Sequence, residues 1–141
     1  MKNLFLIVGI ISIFISCKSA SNPTTTTPSH SITWMNDISL KEALASATES
    51  NKPVFIDVST SWCGYCKKMK KKVYTDHAVS DYLSKNYISV KIDAEKGEGI
   101  HIAKQFDIRA YPTQIIVDKN GRVQSKNVGY QDANELLKFI R

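Results

Sequence analysis

The feature that most constrains this chain is a pair of cysteines, two residues apart, between a strand-like run and a helix-like run. Cys63 and Cys66 are followed by a lysine-rich stretch that predicts a helix. Residues 54–58, Val-Phe-Ile-Asp-Val, precede them and predict a buried strand. Unpaired N–H groups at a helix N-terminus stabilise a thiolate on the first cysteine. The sequence therefore predicts a redox-active dithiol at a strand-to-helix junction.

The composition is that of an ordinary globular protein. The 141 residues are 43% hydrophobic and 23% charged, which suits one domain with a core large enough to fold alone. The net charge of +6 comes mostly from lysine, because arginine occurs only three times. Basic residues are not interleaved with aromatic ones, so the composition gives no support to a nucleic-acid partner.

The first 16 residues predict a lipoprotein signal peptide. Lys2 supplies a positive charge, and residues 4–15 form an apolar run. This run is shorter than the about 20 residues that a membrane-spanning helix needs. Ser16 then places a small residue directly before Cys17, which resembles the lipobox of bacterial lipoproteins. The resemblance implies cleavage before Cys17 and its acylation. The alternatives are an ordinary signal peptide with an incidental cysteine and an uncleaved anchor.

Residues 17–31 predict a lipidated cysteine and a flexible tether, and residues 32–141 a folded domain. The tether is rich in Ser, Thr, Asn and Pro and cannot bury apolar surface. The chain has three cysteines, an odd number for a protein addressed to an oxidising compartment. Acylation of Cys17 leaves Cys63 and Cys66 as a matched pair. No cysteine then remains for a structural disulfide.

Within the folded domain, strand and helix patterns alternate. The predicted strands are residues 53–58, 87–93, 113–118 and 122–128. Helices are predicted to begin near Leu40, Cys63, His77, Ile102 and Asp132. Ser39 and Glu42 have the spacing of a capping box, and residues 118–121 predict the turn of a hairpin. The order predicts an α/β layered domain with a mixed sheet.

From Trp34 to the C-terminus the chain resembles the thioredoxin-fold family. The motif Trp-Cys-Gly-Xaa-Cys, an acid in the preceding strand and the segment Tyr111-Pro112-Thr113 carry the resemblance. Residues 62–69 and 129–130 are most similar to secreted thioredoxin-like proteins and the C-terminal domain of the disulfide reductase DsbD. The resemblance implies a thioredoxin fold, a mixed central sheet flanked by helices. It also implies a thiol–disulfide oxidoreductase without a cofactor, and Gly64 is the residue of reducing members.

The cysteines and the acid have distinct expected roles. Cys63 attacks a substrate disulfide, and Cys66, expected to be the more buried of the two, resolves the mixed disulfide. Asp57 is expected to be buried with a raised pKa, and the resemblance implies that it relays a proton for Cys66. An exposed acid at a strand edge is the alternative. Ser89 aligns with the lysine that partners the acid in thioredoxin, which implies a different neighbourhood for Asp57.

The resemblance also assigns residues to substrate binding. Pro112 matches the family's cis-proline, which shapes the substrate groove and keeps metals from the thiolates. Tyr111 would present its backbone to an extended substrate segment. An ordinary trans proline at a strand start is the alternative reading of Pro112. Trp62 and Tyr65 flank the thiols, either as an apolar docking surface or as a cover for the active-site helix.

A metal-binding module is the alternative function, with the same two thiolates as ligands for zinc or copper. Zinc needs further ligands, and His30, His77 and His101 have no recognisable paired spacing. The lysines within residues 67–72 predict a solvated helix face. The sequence as a whole predicts a monomer without bound metal, lipid-anchored on the periplasmic face of a bacterial membrane. Its expected partners are protein thiols or disulfides and an upstream electron donor.

Overall fold

One mixed sheet of five strands organises residues 31–141, which are the residues that the computed structural model describes. The strands are β1 (Trp34–Asn36), β2 (Val54–Ser59), β3 (Ile88–Asp93), β4 (Thr113–Val117) and β5 (Val123–Val128), in the order β1-β3-β2-β4-β5. β3 runs parallel to β1 and β2, and β4 runs antiparallel to β2 and β5. The strand that leads to the cysteines is therefore the central one.

Within the described residues, five α-helices connect and flank these strands. They are α1 (Leu40–Ser50), α2 (Gly64–Lys68), α3 (His77–Asn86), α4 (Glu98–Gln105) and α5 (Ala133–Ile140). α2 continues directly into a π-helical turn, Met69–Val73. α1 begins at the predicted capping box of Ser39 and Glu42, and it ends at Asn51 in the left-handed conformation.

Two apolar clusters cover the two faces of the sheet. One joins β2 residues such as Ile56 to α1 and α4, and the other joins Phe55 to α3, α5 and the π-helical turn. Successive side chains of a strand point to opposite faces. Asp57 therefore shares a face with Phe55, on the side of the sheet that α2 and the π-helical turn cover.

The predicted mixed sheet and its alternation with helices are confirmed, and two elements differ from expectation. Residues 34–36 form a short strand that the sequence pattern did not predict, because three residues show no alternation and pair only through β3. The helix after Cys66 changes to a π-helical turn, in which the N–H of Tyr74 donates to the Met69 carbonyl at 3.0 Å. This extra residue per turn brings Tyr74 into the core.

The signal peptide, the lipidated Cys17 and the tether up to residue 30 lie outside the described residues. Within residues 31–141, no helix has the length and apolar character that crossing a membrane requires.

Candidate active site

The two cysteines form a disulfide at the point where β2 leads into α2. Cys63 is the N-cap residue of α2, and its Sγ accepts a hydrogen bond from the Cys66 N–H at 3.1 Å. The N–H donors of the first helical turn favour negative charge on a sulfur in this position. Once the disulfide is opened, the local structure therefore favours the thiolate on Cys63.

The exposed fractions of the two cysteines are similar and do not follow the expected order. Cys63 is 5% exposed and Cys66 is 9% exposed, so the expectation that Cys66 is the more buried residue is wrong. The reason is a cleft of about 260 Å³ that opens beside Cys66 and is lined by Asp57, Lys67, Lys70 and residues of β2 and β3. The two thiols therefore differ in their helix position, while both are largely shielded.

Asp57 lies in the middle of the sheet and is only 5% exposed, so the alternative of an exposed edge acid is excluded. Burial raises the pKa of Asp57 from 3.8 to about 6, and the Tyr74 hydroxyl, the Lys91 charge and the Gln114 amide oppose this rise. Asp57 and Cys66 line the same cleft. A carboxyl group with such a pKa beside a thiol can accept and return a proton near neutral pH.

Lys91 supplies a positive charge that lowers the pKa of this acid. The register of β2 and β3 pairs Ser89 with Phe55 and Lys91 with Asp57. Burial lowers the pKa of Lys91, and the attraction of Asp57 partly offsets the decrease. Its ammonium lies 4.2 Å from the centroid of the Trp34 ring. The lysine beside the acid is thus two residues after Ser89 in β3, where the sequence alignment with thioredoxin placed it at Ser89. Both positions lie on the same face of the sheet.

The segment Tyr111-Pro112 is fixed between the sheet and the active-site loop. The peptide bond between the two residues is cis, in agreement with the expectation. Pro112 is buried, and its carbonyl accepts a hydrogen bond from the Gly129 N–H at 2.8 Å. The Tyr111 ring meets the Trp62 ring edge-on, with 5.9 Å between centroids. The segment therefore packs beside the residue that precedes Cys63.

Exposed aromatic rings surround the disulfide. Trp62 is 64% exposed and Tyr65 is 62% exposed, so both rings are largely open to solvent. The Tyr65 ring packs against Tyr130 with 5.9 Å between centroids, and the Lys68 ammonium lies 4.1 Å from the centre of the Tyr130 ring. An exposed apolar rim of this kind is typical of a binding surface.

Two buried polar residues near the acid were missed by the reading of the sequence. Tyr74 is 5% exposed and Gln114 is fully buried, and both influence the pKa of Asp57. Gln114 follows Thr113 at the start of β4, directly before an apolar run of three residues, and this polar pair was the available signal. Tyr74 gave no signal, because only the π-helical turn directs it inward.

In the part of the chain that the structure describes, no group of three or more His, Cys, Asp or Glu side chains is placed to hold a metal ion. The alternative of a metal-binding module therefore has two thiolates but no third protein ligand among residues 31–141.

A thioredoxin-type sheet, a Cys-Xaa-Xaa-Cys disulfide at a helix start and a cis-proline segment beside it define a class of thiol–disulfide oxidoreductases. The family model described as a thioredoxin-like domain matches residues 40–141. The chain therefore belongs to the thioredoxin-like family.

Individual relatives place the chain within that family. It is 29% identical over 106 residues to the thiol:disulfide interchange protein DsbD of Actinobacillus pleuropneumoniae, which covers 72% of this chain and 18% of DsbD. The chain thus spans less than a fifth of that relative. The solution structure of a candidate disulphide-isomerase from Bacteroides thetaiotaomicron is 39% identical, with a TM-score of 0.70, and covers 78% of this chain and 90% of that one. The C-terminal domain of Neisseria meningitidis DsbD, 21% identical with a TM-score of 0.59 over 71% of this chain and 89% of that one, shares the fold.

Proposed function

We propose that this protein is an extracytoplasmic, lipid-anchored thiol–disulfide reductase that opens disulfides of other proteins. The observation that carries the proposal is the Cys63–Cys66 disulfide at the start of α2, with the buried Asp57 beside Cys66. Thiol–disulfide exchange requires two electrons and a proton acceptor. The reduced cysteine pair supplies the electrons, and the Asp57 carboxyl group, with a pKa of about 6, can accept the proton.

The reaction passes two electrons from the dithiol to the substrate. The Cys63 thiolate attacks one sulfur of a substrate disulfide, that S–S bond breaks, and the first substrate thiolate leaves. The Asp57 carboxylate takes the proton of the Cys66 thiol, and the resulting thiolate attacks the Cys63 sulfur. The second substrate thiolate leaves, and its proton comes from Asp57 or solvent. The enzyme ends with the Cys63–Cys66 disulfide that the structure contains.

The substrate docks on the aromatic rim beside the disulfide. Trp62 and Tyr65 offer exposed apolar rings, and Tyr111 offers backbone groups to an extended segment. Pro112 fixes the floor of this groove, because it is buried and bonded to Gly129. Substrates of this site are therefore proteins with an accessible disulfide in an extended, partly apolar segment.

The anchor and the electron donor follow from the N-terminus and from the relatives. Ser16-Cys17 after a short apolar run supports acylation of Cys17 and a place on the periplasmic face of a bacterial membrane. Similarity to a thiol:disulfide interchange protein supports a partner that exchanges thiols and disulfides with this protein. Each turnover leaves a disulfide, so an upstream dithiol must reduce it again. We infer that the protein acts as a monomer, since one chain contains all the reacting groups.

One experiment separates location from chemistry. Cells that produce the full chain, its Cys17→Ser variant or its Cys63→Ala variant are fractionated, and insulin reduction is measured in each fraction. We expect wild-type protein and activity in membranes, and soluble active protein for Cys17→Ser. We expect membrane-bound inactive protein for Cys63→Ala. Membrane retention of Cys17→Ser would contradict the lipid anchor at Cys17. Insulin reduction by Cys63→Ala would contradict the proposed exchange chemistry.

The direction of exchange is read from the same wild-type protein in glutathione redox buffers. A reductase has a disulfide more stable than that of glutathione, whose cytosolic couple lies at about −220 to −260 mV by extraction. We expect Cys63–Cys66 to stay oxidised in buffers where glutathione is mostly reduced. A pair that stays reduced in mostly oxidised glutathione would contradict the reductase direction.

A further inference from the structure

A cluster of polar side chains lies in the apolar core behind the active-site disulfide. Asp57 is 5% exposed, Tyr74 is 5% exposed and Gln114 is 0% exposed. Gln114 is opposite Asp57 in the register of β2 and β4, and Tyr74 directly follows the π-helical turn. Burial of a polar group is unfavourable unless it is hydrogen-bonded. These three polar side chains are therefore expected to have a role that apolar side chains at the same positions could not fill.

The orientation of the Gln114 amide follows from its neighbours. Asn127 Nδ2 donates to the Gly129 carbonyl at 3.1 Å, and a carbonyl can only accept. The same Nδ2 also donates to Gln114 Oε1 at 2.8 Å. Gln114 must therefore present its oxygen to Asn127, which leaves Nε2 facing inward, 3.3 Å from the sulfur of Met69. The second proton of Nε2 is available for the side of the core that contains Asp57.

The Tyr74 hydroxyl faces the same carboxyl group. The ring is fixed by edge contacts with Trp34, at 5.0 Å between centroids, and with Phe55, at 6.3 Å. Within residues 31–141, the Tyr74 hydroxyl and Asp57 Oδ1 are both buried without a hydrogen-bond partner. The hydroxyl has one proton to donate and the carboxylate oxygen accepts, so the two groups are matched. In agreement, the Tyr74 hydroxyl and the Gln114 amide both lower the pKa of Asp57.

We propose that Tyr74 and Gln114 are positioning residues of the exchange reaction, which donate to the ionised Asp57 and orient it toward the proton of Cys66. This inference rests on the proposed relay role of Asp57. The two residues act through Asp57 and touch neither sulfur nor substrate. They set the pH range in which the carboxylate is available, because a donor stabilises the ionised form more than the protonated one.

Other charged groups also face Asp57 and must be held constant. Lys91 faces it from β3, and Lys67 and Lys70 line the cleft from α2 and the π-helical turn. Cys66 lines the cleft as well, but a disulfide sulfur does not titrate. A titration of the oxidised protein therefore reports on Asp57 without coupling to a thiol.

The test is a carboxyl ¹³C NMR titration of the oxidised full-length protein. Tyr74→Phe and Gln114→Met remove one donor each while keeping the volume of the side chain. The matched control is Tyr87→Phe, because Tyr87 also packs on Phe55 but donates its hydroxyl proton to the Ile140 carbonyl at 2.8 Å. We expect the pKa of Asp57 to rise by about one unit in each donor variant, a tenfold change in proton affinity, and to stay unchanged in the control.

A kinetic measurement distinguishes failure of this inference from failure of the proposed function. The resolution rate of a preformed mixed disulfide is followed against pH. We expect the midpoint to move upward in Tyr74→Phe and Gln114→Met, and the pH step to vanish in Asp57→Asn. A pH step that survives in Asp57→Asn would refute the relay role itself. The positioning role alone would be overturned by a different result. The pH step would be lost in Asp57→Asn, but both donor variants would keep the wild-type midpoint and the wild-type pKa of Asp57.

Discussion

At the scale of single residues, the two cysteines differ in backbone position more than in exposure. Cys63 caps α2 and its sulfur receives the Cys66 N–H, whereas Cys66 lies within the first turn. Both are at least nine-tenths buried, so access alone cannot assign the nucleophile. The donors at the helix start favour the Cys63 thiolate, whereas Cys66 lines the same cleft as Asp57.

A trapping experiment follows from this asymmetry. Cys66→Ala leaves the attacking thiol but removes the resolving one, so mixed disulfides with substrates should accumulate. Cys63→Ala leaves only the resolving thiol and should trap several-fold less. The measurement is non-reducing electrophoresis after incubation with oxidised substrate protein. Equal trapping by the two variants would show that the helix position does not select the nucleophile.

At the scale of elements, α4 and α2 leave different amounts of space at their glycines. α4 follows β3 and packs against it at Gly99, where a Cβ atom would overlap the backbone carbonyl of Asp93. Gly64, in the first turn of α2, has no such neighbour, because a Cβ atom there would meet nothing within 4 Å. Position 99 therefore has no room for a side chain, whereas position 64 does.

These two glycines give a matched pair of substitutions. Gly99→Ala should destabilise the domain by about 1–3 kcal/mol, as overpacking against a fixed backbone does. Gly64→Ala should be neutral or stabilising by up to about 1 kcal/mol, because alanine has the higher helix propensity. The free energy of unfolding in urea measures both. A Gly99→Ala protein as stable as wild type would mean that α4 can move away from β3 freely.

At the scale of the whole molecule, folding is linked to the protonation of one buried carboxyl group. The pKa of Asp57 rises from 3.8 to about 6, so the folded protein binds this proton more tightly than the unfolded chain does. The stabilisation is complete below pH 3.8 and is lost as pH rises through about 6. The difference corresponds to about 3 kcal/mol. At neutral pH the domain thus lacks this stabilisation, because Asp57 is ionised in its buried position.

Asp57→Asn tests this linkage in the oxidised protein. The variant should be more stable than wild type above pH 7, by up to about 3 kcal/mol, because no buried charge forms. The advantage should shrink as pH falls toward 4, where wild-type Asp57 is protonated. Urea unfolding at pH 4 and pH 7.5 measures both differences. A variant that is less stable than wild type at pH 7.5 would contradict this prediction. It would show that the groups around Asp57 stabilise its ionised form by more than burial destabilises it.

The sequence by itself determined the features whose signals are local. The strand before Cys63, the helix after it and the capping box at Ser39 each depend on neighbouring residues, and all are present. The buried setting of Asp57 and the cis bond before Pro112 also agree with expectation, because a short apolar run and a family motif carry them. Local spacing was enough to place the dithiol on the right elements.

Only the tertiary structure decided what surrounds the dithiol. β1 exists through its pairing with β3, and Lys91 lies beside Asp57 through the register of two strands far apart in the chain. The π-helical turn directs Tyr74 inward, and β4 places Gln114 opposite the acid. The winding that turns Tyr74 inward and the register that sets Gln114 opposite Asp57 have no local signal, because both are set by packing across the whole sheet. Local sequence therefore locates the two cysteines, whereas the surroundings of Asp57 depend on contacts between residues far apart in the chain.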